Sequence, residues 1–110
     1  MALTHTAPGE VVDVRAPAGK ISIADSKLLI RIDHLEVFRY ALPAGKVIGS
    51  HRAAGVMLLQ CLDGTVEFTS LGTTRTLTPG AMLYLPDAEA HDLRAITDAQ
   101  LLLTILLHRK

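Results

Sequence analysis

The sequence predicts a single all-β domain, an antiparallel sandwich or barrel built from short strands, and three observations predict it. From Pro43 onward, turn-forming residues recur at short intervals: Pro43-Ala44-Gly45, Gly49, Gly55, Asp63-Gly64, Gly72, Pro79-Gly80 and Pro86-Asp87 each divide short apolar runs. No internal repeat, low-complexity tract or heptad pattern points to another architecture. A chain of 110 residues can bury one stable core but not two, and with 49% hydrophobic and 20% charged residues it can fill that core.

Residues 1–9 are small and polar and close on Pro8-Gly9, which marks them as a flexible arm ahead of one barrel domain spanning 10–110. Val11, Val12 and Val14 then suggest a short strand, ended by Ala16-Pro17-Ala18-Gly19. The stretch 21–40 contains neither proline nor glycine. It reads as two strands, 28–32 and 34–42, with a break near Asp33; a short helix over 24–28 is the alternative at its start. Asp63-Gly64 separates the runs 56–62 and 65–70, and Gly72 precedes 73–77, so two hairpin turns joining antiparallel neighbours are expected where glycine can take positive φ. Residues 101–107 are almost continuously apolar, so both faces of that strand need covering. One face can enter the barrel. The other is most easily buried against a second subunit, which predicts a homodimer; the alternative is that the amino-terminal segment folds back over it.

Eleven basic residues balance eleven acidic ones, without any block of like charge. That removes the electrostatic footprint of a nucleic-acid or anionic-membrane binder and favours a small-molecule partner. Cys61 is the only cysteine, so neither an internal disulfide nor a sulfur-rich zinc site can form within the chain, which fits a reducing cytoplasm. The first ten residues lack the basic start and apolar run of a secretory signal, and the longest apolar stretch, 101–107, is too short to cross a bilayer as a helix. A soluble cytoplasmic protein is expected. Phosphate-binding loops, dinucleotide fingerprints and nucleophile elbows are absent from the sequence.

Gly45, His51 after five intervening residues, and the closing Gly64 stand in the spacing of the first cupin motif. Gly80, Pro86, Ala88, His91 and Ala95 occupy positions of the second. On these residues, together with Leu42-Pro43-Ala44-Gly45 and the leucine-rich final strand, the chain resembles the small single-domain cupins of the type 2 conserved barrel family. The resemblance implies a double-stranded β-helix, an antiparallel jelly-roll barrel with a pocket at one end where four inward side chains hold a divalent metal. Here the metal-binding motif is degenerate: His51 and His91 are kept, but Ala53 stands where the second histidine would be and Met57 where the glutamate would be. Two imidazoles are fewer than the three protein ligands of a catalytic zinc, and they lack the carboxylate of a non-heme iron triad.

Two functional classes follow. In the first, the chain is a small-molecule-binding protein of unassigned ligand with a reduced two-histidine pocket. In the second, it is a metal-dependent enzyme of dioxygenase, isomerase or lyase type, in which His51 and His91 hold iron, zinc, manganese or nickel. Neither class assigns a catalytic residue. Counting alternately from Met57 turns Leu59 and Cys61 inward and Gln60 outward, and Met82 and Tyr84 share one parity that is read as inward. The expected pocket is therefore His51, Met57, Leu59, Cys61, Met82, Tyr84 and His91. Glu89 and Gln60 are weak third ligands, one solvated and one outward-facing. Cys61 reads as a small buried hydrophobe, for it has no basic activator nearby in sequence. His5, His34 and His108 are expected to be surface or structural residues, and Arg52, Arg75 and Arg94 to alternate outward.

Overall fold

The computed structural model describes residues 6–16, 21–52, 55–86 and 89–107, with backbone alone at 50–52. His5, Ala53, Ala88, His108 and the turn expected at 17–19 lie outside the described residues. Nine strands follow in order: β1 (Lys27–Ile32), β2 (Leu35–Leu42), β3 (Val47–Arg52), β4 (Gly55–Asp63), β5 (Val66–Ser70), β6 (Thr73–Leu77), β7 (Met82–Leu85), β8 (Ala90–Ala95) and β9 (Ala99–Leu107). They form two antiparallel sheets, β1-β2-β9-β4-β7 and β3-β8-β5-β6, the jelly-roll barrel that the sequence predicts.

Alternation assembles the core. Met57, Leu59 and Cys61 of β4 face inward and pair in register with Ile105, Leu103 and Leu101 of β9. Val66 and Phe68 of β5, Leu77 of β6 and Leu93 and Ala95 of β8 meet them from the other sheet, and this cluster also takes in Leu42, Leu85 and Ala99. Each large side chain so buried stabilises the fold by about 2 kcal/mol. β9 lies in the centre of its sheet, between β2 and β4, so both of its edges are hydrogen-bonded.

The break expected near Asp33 separates β1 from β2. The helix weighed for 24–28 is a single 3-10 turn, Ile23–Asp25, closed by a capping box in which Ser22 Oγ accepts from the Ala24 amide and Asp25 Oδ2 accepts from the Ser22 amide. Two expectations are corrected. Residues 11–14 form no strand: Val11 is exposed, and Val12 turns toward Ile30, Ile32 and Leu35 on the outer face of the larger sheet. Residues 6–10 line the same depression, and the Thr6 amide donates to the Leu29 carbonyl at 2.7 Å. Asp63-Gly64 is likewise not a hairpin turn. It is a corner that carries the chain from β4 in one sheet to β5 in the other, because the inward residues of both strands are wanted on opposite walls of one core. The second expected turn is a hairpin, Leu71-Gly72, which joins β5 to β6 in register Ser70↔Thr73.

Candidate functional site

The register of the smaller sheet brings the two histidine positions together. β3 and β8 are antiparallel neighbours, and His51 stands directly opposite His91. Opposed positions in such a ladder lie roughly 5 Å apart at Cα and share one face of the sheet. The same row continues across the sheet, because His91 is opposite Ser70 on β5 and Ser70 is opposite Thr73 on β6. The next row inward in the barrel runs Leu93, Phe68, Arg75. Forty residues of chain thus separate two positions that the sheet makes neighbours.

His91 is only 4% exposed. Its ring stacks on Phe68 with centroids 5.3 Å apart and planes 16° from parallel. Its Nδ1 lies 3.3 Å from the Glu89 carbonyl oxygen. When Nδ1 carries the proton it donates to that carbonyl, and Nε2 is then the acceptor nitrogen of the ring. Glu89 therefore reaches His91 through its backbone. Ser70 Oγ donates to the Ala90 carbonyl at 2.8 Å and ties β5 to the residue beside His91.

Of the other expected pocket residues, Met57, Leu59 and Cys61 do face inward, but each is 1% exposed and packed into the core floor. Burial pushes the Cys61 thiol above its ordinary pKa, and its Sγ lies 3.4 Å from the Gly64 carbonyl, so it is a buried hydrophobe with a weak donor. Met82 and Tyr84 are corrected. β7 pairs with β4 in the register Gln60↔Met82, Leu58↔Tyr84 and Met57↔Leu85, which sends Met82 and Tyr84 outward with Gln60 and Leu58. They are 59% and 66% exposed, and Leu83 and Leu85 take the inward places. Parity counted along one strand does not carry across the turn that precedes the next.

Arg75 is corrected in the opposite sense. Its partner across the β5–β6 ladder is the buried Phe68, so it belongs to the inward row. It lines a cavity of about 280 Å³ where the edge strands β6 and β7 face each other, together with Phe68, Thr73, Leu83 and Leu85 and, although its strand position is outward, the expected pocket residue Tyr84. Sequence alone carried a signal for this. Leu77 is the apolar residue of β6, and stepping back by twos from it reaches Arg75 and Thr73. Arg94 does face outward, 3.1 Å from Glu67.

The described residues supply no metal centre of three or more protein ligands. Among the described residues no group of three His, Cys, Asp or Glu side chains stands close enough to hold an ion, and Met57 offers only a soft thioether in the place of a carboxylate. Nor, among the described residues, is any helix long and apolar enough to cross a membrane.

No family model matches the sequence, and no curated protein matches it. Solved structures do match the fold. A conserved protein of unknown function from Streptococcus pyogenes superposes with a TM-score of 0.76 at 21% identity, covering 100% of both chains. A cupin superfamily protein from Desulfitobacterium hafniense DCB-2 gives 0.76 at 16% identity over 96% of this chain and 97% of that one. Salicylate 1,2-dioxygenase from Pseudoaminobacter salicylatoxidans gives 0.68 at 19% identity; 74% of this chain aligns with 24% of that larger protein.

Proposed function

Starting from a chain that has the fold of the small single-domain cupins, we propose that it is a small-molecule-binding protein whose ligand is received beside a reduced two-histidine site. One observation carries the reading: His51 and His91 are cross-strand partners, and His91 is held by stacking on Phe68, which is also a wall of an open cavity. The chain supplies a fixed imidazole, an aromatic face, hydroxyls and aliphatic walls, which is the mixture of apolar lining and few polar groups that binds small organic ligands. Unfilled space against the Phe68 ring on which His91 stacks suits recognition. The alternative, a dioxygenase, isomerase or lyase with a divalent transition metal on His51 and His91, is the other outcome of the same test.

Native mass spectrometry and elemental analysis of protein purified without a histidine tag make that test. The expected result is a co-purified organic molecule with sub-stoichiometric iron, zinc, manganese and nickel, and loss of that molecule in His91→Ala. Near-stoichiometric metal that disappears in both His51→Ala and His91→Ala overturns the reading in favour of the metalloenzyme.

We infer in addition that a second copy of the chain covers the outer face of the larger sheet. Leu106, Ile32, Met82 and Tyr84 are exposed on that face, and Val56, Leu58 and Leu102 between them are half-buried. A patch of this kind on a barrel of this size suits a two-fold interface. The neutral charge balance and the buried thiol suit a reducing, cytoplasmic setting.

A further inference from the structure

We propose that the cavity between β6 and β7 recognises the carboxylate of a small amphipathic acid through Arg75, and that Leu71 is held in a strained conformation to close its rim. The proposal rests on the reading that this side of the barrel receives a small molecule, and it names the chemical class.

Arg75 is exposed at the edge of a cavity whose walls are largely apolar. Phe68, Leu83 and Leu85 line the cavity with it, and Arg75 makes no ion pair or hydrogen bond among the described residues. Two arginines on these sheets are ion-paired, Arg31 with Glu36 at 2.8 Å and Arg94 with Glu67 at 3.1 Å, and Arg39 donates to the Asp25 carbonyl at 2.9 Å. A guanidinium without a carboxylate partner, placed at the edge of a cavity, presents its planar fork to an incoming anion, and a carboxylate matches that fork with two parallel hydrogen bonds. One cation opposite aliphatic and aromatic walls fits a singly charged acid with an apolar body better than a phosphate dianion. The Thr73 hydroxyl lies on the same wall and can add a donor, whereas the Ser70 hydroxyl proton is already given to Ala90. A volume of about 280 Å³ is at the lower end for ligand pockets and calls for a metabolite-sized occupant.

The second observation is independent of charge. Leu71 has φ 54° and Gly72 φ 75°, so this two-residue hairpin has the backbone of a turn that asparagine and glycine favour. Leucine is a poor choice for a left-handed position. Yet the same residue lines the cavity. An apolar side chain kept at the rim against the backbone's preference is explained if it contacts a bound molecule.

Benzoate and its neutral counterpart benzamide are the probes, followed by amide and arginine side-chain NMR shifts on titration, with inorganic phosphate as a third arm. Benzoate is expected to bind at millimolar concentration or better and to move the Arg75 Nε–H signal. It should bind roughly tenfold more tightly than benzamide, and Arg75→Gln should remove that preference while Arg75→Lys keeps part of it. Leu71→Asn should raise the Tm and weaken benzoate severalfold, a pair of opposite effects that a merely structural residue would not produce. Equal binding of benzoate and benzamide, or benzoate unaffected by Arg75→Gln, overturns the carboxylate assignment while leaving the ligand pocket beside His91 standing. Phosphate binding more tightly than benzoate overturns it as well. Failure of all three probes together with the absence of any co-purified molecule removes both readings.

Discussion

Met57 condenses the chemistry of the site into one side chain. It faces inward, is 1% exposed, and packs between Leu85 and Ile105 on the neighbouring strands. A carboxylate at that position would be buried among hydrocarbon, where the charged form loses hydration without gaining a partner. Met57→Glu is expected to cost on the order of 3 kcal/mol at neutral pH. The sign of its pH dependence follows from linkage: burial raises the folded-state pKa of the new carboxyl, so the stability is kept below the unfolded pKa and lost as the pH rises toward the folded one. Urea midpoints measured at pH 4 and pH 7 should therefore differ more for the variant than for the wild type, with the variant weaker at pH 7. Equal midpoints would mean that a cation near position 57 compensates the charge. Tyr40, whose hydroxyl pKa burial also raises, acts in the same direction at alkaline pH.

The corner between β4 and β5 depends on a single backbone position. Gly64 has φ 77°, and a β-carbon there would collide with the Asp98 carbonyl oxygen and the Ala99 backbone at the start of β9. Close packing is needed because the corner sits under Thr65, whose carbonyl accepts from the Ile96 amide at 2.8 Å and whose amide donates to Thr97 Oγ1 at 3.0 Å. These bonds hold the start of β5 against the β8–β9 connection. Gly64→Ala combines left-handed strain with a backbone clash, and it is expected to lower stability by about 3 kcal/mol or to prevent folding. Chemical denaturation checks this, with Gly72→Ala as the comparison. Gly72 also has positive φ, but its β-carbon would meet nothing within 4 Å, so only the conformational cost of about 1 kcal/mol applies there.

The two faces of the larger sheet have different fates. The inner face is filled by the core, whereas on the outer face segments of the chain itself cover only part. Ala16 donates its amide to the Gln100 side chain at 2.6 Å, and Arg39 Nε donates to the Asp25 carbonyl at 2.9 Å, so the end of the face near Ala41 is sealed. Residues 6–10 flank Ile30, Ile32 and Leu35. Between these covers, Leu106 remains 49% exposed beside Val56 and near Leu58. If a second copy seats there, a charge at the centre of the patch should dissociate it without unfolding the barrel. Leu106→Glu is expected to convert a dimer to a monomer in light scattering coupled to size-exclusion chromatography, with unchanged circular dichroism. A wild-type protein that is already monomeric at high micromolar concentration would end the dimer reading.

Turn chemistry and strand alternation are local, and they were sufficient to predict the all-β architecture, the break at Asp33, the Leu71-Gly72 hairpin and the inward row Met57, Leu59, Cys61. Motif spacing pointed further, to the convergence of positions 51 and 91, which the β3–β8 register places opposite each other. What the amino-acid order could not supply was phase between strands. Whether Met82 and Tyr84 point in or out depends on the number of residues absorbed by the intervening turn and on the strand each one pairs with. For the same reason the corner at Gly64 passed for a hairpin, since its glycine has the same positive φ in either setting and only the packing of β9 against it decides. Sequence determined which residues alternate, because that is a property of the extended chain; tertiary structure alone decided which face each alternation serves, because pairing joins residues far apart along the chain.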